Sequence, residues 1–565
     1  MSRVQPAPCK APAYGRGACA VRLCADDVGE VMDGPGHEVG LILGVKRDFR
    51  QSMSSEENRS SAVPDYDVVI MGGSFSGAST ALLLKRQRPE TRVLVIEKLE
   101  SFDRKVGEST SEVAGCFLTR VLHMGAYMSA NHYHKHGLRM WFCNGSDTPV
   151  DECTEIGPRF QSRLPTYQID RSLLDEEILK MAGAGGAEVV RPGVVQDIQV
   201  AEGDGLHSVT FTSGGRSRTV TSRWLIDASG KAALLSKRLG KYQPLGEEHP
   251  TSSMWCRFRN VNDVDSYESR MKHPRLRQVK ASRGPATNHL MGKGWWCWLI
   301  PLPGGDFSAG IVWDRTLYDL PPGNSLQERL RAHLLSHPVG KLMFEHAEAV
   351  EGDFYYYKGL AYYTTEAAGN RWMCVGDAAG FIDPLYSQGL DYCGHSVYAT
   401  VDTILAGYRG ECTKSRLEYI RDAYARSYRY WFEALYKGKY IYLGDAELMR
   451  AAFLLDLASY FIGPVRLVYG DLEKEFRLFP YDGPHGRRFA KFMRFYNERL
   501  HRLAEKRLAL GTYGVANTKN DFTFPQAMSP DSAAVKFLWR GIKVWWKAEW
   551  RTFWDGFTAT RPTTA

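Results

Sequence analysis

Apolar positions in this chain fall into several kinds of run, and each kind predicts an element. The unbroken run Val68-Val69-Ile70-Met71, entered through Asp67, predicts a strand buried on both faces. Gly72-Gly73-Ser74-Phe75-Ser76-Gly77 follows as a turn, and Ala78 to Gln87 has the composition of a helix. Val93-Leu94-Val95-Ile96-Glu97 predicts a second strand that closes on an acid. Two later stretches, Trp224-Leu225-Ile226-Asp227-Ala228-Ser229-Gly230 and Trp372-Met373-Cys374-Val375-Gly376-Asp377, are again apolar strands that end on aspartate and glycine. Trp295 to Pro301 reads as an aromatic strand, on which a period of two puts Trp296 and Trp298 on one face. Read as a strand, His132 to Phe142 puts Tyr133, Lys135 and Gly137 on one face and His132, His134 and His136 on the other. From about Ala434 the chain is rich in aromatics and helix formers. Near its end Lys536, Arg540, Lys543, Lys547 and Arg551 recur at helical spacing, with Leu538, Ile542, Trp545, Trp546 and Phe553 opposite or beside them.

The strand, turn and helix at 67–87 have the shape that a dinucleotide requires. Backbone NH groups at the helix start must approach a pyrophosphate, and glycines at Gly72 and Gly77 leave room for that approach. Glu97, twenty residues past Gly77, stands where a carboxylate accepts ribose hydroxyls. The departure is Ser74, which puts a β-carbon where the pattern has its second glycine.

The three strand ends together resemble the cofactor motifs of FAD enzymes of the aromatic-hydroxylase class, which implies FAD rather than NAD and places Gly376 and Asp377 beside the flavin's ribityl chain. Further segments are similar to those of flavin-dependent halogenases: Arg104-Lys105-Val106-Gly107-Glu108-Ser109-Thr110, the Trp-x-Trp-x-Ile-Pro string at 296–301, and Phe381-Ile382-Asp383-Pro384-Leu385-Tyr386-Ser387-Gln388-Gly389. The resemblance runs from about Asp65 to Leu435. It implies an enzyme in which FADH2 and O2 form a flavin hydroperoxide, chloride or bromide is oxidised, and hypohalous acid travels to a lysine, here Lys135. Desolvation would lower the pKa of that amine toward the working range. Arg104 joins the cofactor-binding residues. Phe381, Pro384, Ser387, Gln388 and Gly389 form the halide and tunnel segment, with the halide near backbone NH groups at Gln388 and Gly389. Trp296 and Trp298 shield the flavin from the organic substrate. Tryptophan halogenases carry a glutamate where this chain has Tyr386, so an electron-rich phenol or pyrrole is the expected substrate, with Asp383 as a possible substitute carboxylate.

The expected fold is α/β: an FAD-binding Rossmann-like domain of the aromatic-hydroxylase type, an interleaved substrate-side sheet, and a helical C-terminal region. The expected divisions are a disordered tail over 1–62, a core over 63–435 and a helical cap over 436–565, with Met53 an alternative start. With 565 residues, 44% hydrophobic and 24% charged, there is material for a large core. Eleven cysteines without a Cys-x-x-Cys pair, and no secretory h-region, suit a reducing cytoplasm. The three nearby histidines carry no accompanying metal signature, so no metal is expected. Expected partners are a separate flavin reductase and an aromatic small molecule, free or tethered to a carrier protein. The basic helix at 536–551 is read as a surface helix with its apolar stripe on the core, or as a contact for a membrane or an acyl carrier; nucleic acid is not expected. An FAD-dependent aromatic hydroxylase and a catalytically silent FAD-binding protein remain the alternatives.

Overall fold

The computed structural model describes residues 63–159, 163–278, 282–524 and 529–559, so the tail expected over 1–62 lies outside the described residues. Five strands run parallel in the order Glu188–Val190, Val93–Ile96, Tyr66–Met71, Arg216–Asp227 and Trp372–Cys374. Their apolar runs are unbroken because a parallel sheet is covered on both faces. The long strand Arg216–Asp227 also pairs, through its first half, with an antiparallel hairpin formed by Val194–Gln199 and His207–Ser213. Register lines up the ends of the central strands: Met71 lies opposite Asp227, and Asp227 opposite Cys374. The turns that follow these three strands therefore emerge side by side, at the carboxyl edge where open α/β sheets bind ligands.

A second, mostly antiparallel sheet has the order Glu348–Lys358, Thr251–Arg259, Phe307–Asp314, Trp295–Pro301, Thr287–Gly292, Leu138–Phe142 and Thr154–Ile156. Period two separates its faces. Trp296, Trp298 and Ile300 join the main core, while Cys297 and Leu299 join a smaller one that lies under the helices Leu326–Ser336 and Pro338–Phe344.

The chain beyond 436 is helical. Ala446–Tyr460 is capped by Asp445, which accepts from the NH groups of Glu447 and Leu448 at 3.1 and 3.0 Å, and it packs against Pro484–Ala509 and Ser532–Ala559. The run Ala446–Gly470 is long and apolar enough to cross a membrane, but 72% of its apolar window is buried within the protein. The described residues form one unit, and the expected boundary at 435/436 falls inside the helical turn Phe432–Tyr436.

Two sequence expectations change. The strand expected over 132–142 is broken in two, with Tyr133–His134 and Leu138–Phe142 separated at Gly137, whose φ is +83°. Tyr133 is exposed and Lys135 buried, so they do not share a face. On the last helix, Ala534, Phe537, Gly541, Val544, Ala548 and Thr552 are the buried residues, whereas Trp546 and Phe553 face solvent. Its amphipathic pattern has two apolar arcs, and the bulkier one is the outer.

Candidate functional site

The first half of the site is a cradle made where the three strand ends meet. The NH of Ala228 bonds the carbonyl of Met71 at 2.9 Å, and the NH of Val375 bonds that of Asp227 at 2.9 Å, which joins the three turns. Gly77 must be glycine, since a β-carbon there would stand 1.9 Å from the carbonyl oxygen of Gly72. Gly376 has φ +58° and a β-carbon would meet Ser76 Oγ at 2.2 Å, so the first and third motifs are in contact. The helix Phe75–Gln87 begins without a side-chain cap, because the Ser74 hydroxyl donates instead to Asp175. Its first NH groups keep their partial positive charge toward the cradle. Glu97 closes the rim by accepting from the NH of Gly73 at 2.7 Å and that of Leu99 at 2.9 Å.

Asp377 sits deep in the protein with part of its surface accessible; desolvation pushes its carboxyl up to about 6, and Arg171 pulls it back. Arg171 carries no motif, yet it ties the cradle together. It pairs with Asp175 at 2.9 Å, reaches Ser74 Oγ at 3.5 Å and donates to the carbonyl of Val106 at 3.2 Å. Arg104, expected in the cradle, instead pairs with Asp306 at 3.3 Å beside a shallow, open cavity that includes Asp353 and Tyr355. The cradle suits a dinucleotide: two contacts that exclude a β-carbon, an uncapped helix start and an acid at the second strand end.

The second half is a mostly apolar cavity of about 70 Å³, lined by Lys135, Thr110, Glu112, Tyr386, Gln388 and cap residues such as Phe453 and Phe461. That volume is below the roughly 300 Å³ at which ligand pockets begin. Lys135 is clamped at both ends. Its NH donates to the carbonyl of Thr166 at 2.9 Å and its Nζ to the carbonyl of Thr110 at 2.9 Å. Burial lowers its pKa to about 8, with Glu112 and Asp391 opposing. Asp391, itself pushed up to about 7 by burial, accepts from Ser111 Oγ, from the NH of Ala114 and from Tyr460. Glu108, raised to about 7 by burial, is held by Arg257 at 2.9 Å. Thr110, Glu112 and Asp391 are thus the groups around the amine. The first two lie in or just past a recognisable motif, and Asp391 stands two residues after Gly389.

Asp383 does not line this cavity. It accepts from Tyr440 at 2.6 Å and pairs with His249 at 3.2 Å. Tyr440 in turn accepts the indole NH of Trp296 at 3.0 Å, while that of Trp298 goes to Ser308 at 3.1 Å. The two indoles lie with ring centres 6.0 Å apart, and His289 packs on Trp296 at 5.1 Å. His289 is kept neutral, its pKa lowered to about 3 by burial and by Lys135, which links the tryptophan wall to the lysine.

The remaining predicted residues form one turn. Phe381 ends a short strand and its carbonyl accepts from Tyr428. Pro384 opens a turn whose carbonyl accepts the NH of Ser387. Ser387 has φ +58° and Gln388 is right-handed, an alternation that turns successive NH groups to one side. Gly389 begins the helix Gly389–Tyr408, again without a side-chain cap, and Trp431 fixes Gln388 through a 2.6 Å bond to its Oε1. Of the three histidines, His132 is buried, His134 exposed and His136 between, and among the described residues no His/Cys/Asp/Glu group is placed to hold a metal.

The chain is similar to several known proteins. A family model described as tryptophan halogenase matches residues 157–433. A flavin-dependent halogenase, chlA, from Dictyostelium discoideum is 26% identical over 442 residues, 70% of this chain and 69% of that protein. A 1H-pyrrole-2-carbonyl-[peptidyl-carrier protein] chlorinase from Pseudomonas fluorescens is 25% identical over 390 residues, covering 65% of this chain and 82% of its own. Among solved structures, halogenase PltM in complex with phloroglucinol and FAD superposes with a TM-score of 0.66 at 19% identity, over 86% of this chain and 96% of that one.

Proposed function

We propose that the chain is a flavin-dependent halogenase that uses FADH2, O2 and chloride or bromide to halogenate an electron-rich phenol or pyrrole in secondary metabolism. Lys135 carries this reading: a buried amine, with lowered pKa, in the same cavity as Gln388 of the halide turn. Gly72, Gly77, Glu97, Gly376 and Asp377 would hold FAD, with Ser74 turned aside toward Asp175 and Arg171 supporting the cradle. Bound and reduced, FAD supplies with O2 the two-electron oxidation of halide to hypohalous acid. The NH groups at Gln388 and Gly389 would hold the halide.

Lys135, as the ammonium, donates a hydrogen bond to hypohalous acid and polarises its oxygen–halogen bond. The ring carbon takes the halogen, loses its proton, and the hydroxide leaves as water. Trp296 and Trp298, each fixed by a hydrogen bond, keep the ring from the flavin. Phloroglucinol with PltM and the pyrrolyl carrier substrate of the Pseudomonas chlorinase support the substrate class; a carrier-bound substrate is the second form. A separate reductase supplies FADH2. The described cysteines are all free thiols, in keeping with a cytoplasmic setting.

The test is turnover with a flavin reductase and a panel of phenols and pyrroles, with and without chloride or bromide. Halide-dependent mass gain supports the proposal; oxygen insertion regardless of halide would make the enzyme a hydroxylase. Two outcomes follow from the geometry. Gly77→Ala is expected to weaken flavin binding by about tenfold or more, since the helix start must shift away from the Gly72 carbonyl; fluorescence titration of the folded variant reads this. With pre-reduced flavin, halogenation carried by the ammonium should fall as pH rises through about 8, roughly tenfold per unit beyond. A rate unchanged to about pH 10 would remove the ammonium from the mechanism.

A further inference from the structure

The helix Ser532–Ala559 buries one apolar arc against Ala446–Tyr460 and presents another to solvent. Trp539, Trp546, Trp550, Phe553 and Trp554 are 61%, 70%, 65%, 56% and 43% exposed. Steps of 7, 4, 3 and 1 residues keep all five within about 60° of one line along the helix, over about 22 Å. Soluble monomers seldom expose so continuous an apolar patch without using it.

Charge says what it meets. Lys536, Lys543, Lys547 and Arg551 are exposed along one side of the stripe. The helix carries two acids, Glu549 and Asp555, and Glu549 is paired with Arg499 at 2.8 Å. A row of indoles bordered by lysines along one exposed helix face matches a plane that is apolar below and repeatedly anionic above. We propose that this helix docks the protein on an anionic lipid surface, with the indoles at the headgroup level and the lysines reaching the phosphates. The same helix backs the Lys135 cavity, since Phe537 packs edge-on against Phe524, which lines it, at 5.1 Å between ring centres. Docking therefore puts lipid against the outer face of a helix whose inner face backs the cavity wall.

The proposal is independent of halogenation and is tested without it. Full-length protein is sedimented with vesicles of phosphatidylcholine alone or with about one third phosphatidylserine. Binding to the anionic vesicles with a blue shift of tryptophan emission is expected, weakened by salt. Trp546→Ser/Trp550→Ser/Trp554→Ser should lower partitioning by about tenfold or more. Lys543→Glu/Lys547→Glu should do the same with the indoles intact, and both variants should keep the wild-type circular dichroism. Wild-type protein that stays in solution, or variants that bind as wild type does, would overturn the proposal. So would a dimer that the tryptophan variant dissolves, or capture by an acidic carrier protein without any vesicle binding.

Discussion

Lys135→Met is expected to abolish halogenation, leave flavin reoxidation largely intact, and make the protein more stable. The first two outcomes follow from the order of the proposed mechanism, in which reduced FAD would meet O2 at the cradle before the lysine is needed. The third follows from burial. A folded pKa of about 8 against 10.5 for an ordinary lysine means that, between those values, the unfolded chain holds a proton the folded chain lacks. Stability therefore rises with pH across that window, and below pH 8 the full cost of charging a buried amine remains, on the order of 3 kcal/mol. Methionine has similar volume and no charge; it forfeits the bond to Thr110, about 1 kcal/mol. A net gain of about 2 kcal/mol at neutral pH should appear in denaturant unfolding, and the rise between pH 8 and 10.5 should vanish. Normal product yield would end the assignment of Lys135. A less stable variant that forms no product would show instead that the amine is well solvated by its neighbours.

Asp456→Ala should have the largest effect on stability. Asp456 is a buried hub that accepts from Lys439 Nζ at 2.8 Å, Tyr386 at 2.8 Å and Tyr496 at 2.6 Å, with the Lys439 and Asp456 side chains 1% and 5% exposed. Removing the carboxylate strands a buried ammonium and two phenols, which costs about 3–5 kcal/mol. The double variant Lys439→Met/Asp456→Leu removes both charges and should cost much less than Asp456→Ala alone, read by unfolding of the single and double variants. Simple additivity would mean that the pair is not coupled. Tyr386 and Asp456 both line the Lys135 cavity, so loss of this hub should also reduce turnover.

Much of this was legible from the residues. Three strand ends with their glycines and acids are local signals, and a parallel sheet collects them at one edge by register alone. Trp296 and Trp298 shared a face, as period two requires. Lys135 was expected by resemblance, and its setting was misjudged, because Gly137 breaks the strand and Thr166 and Thr110 hold the lysine from across the fold. Arg171, Glu112 and Asp391 have no spacing that announces them; they act only after distant elements meet. The last helix misled because its pattern has two apolar arcs, and composition does not say which one is covered.

The alignment of Met71, Asp227 and Cys374 also sets a timetable. The cradle is written at three places separated by about 150 residues each, so during synthesis no part of it is complete until the third strand has emerged and docked beside the second. Cofactor capture can begin only after two thirds of the chain exists, and flavin retained by a nascent or refolding chain would mark the closing of that long-range register.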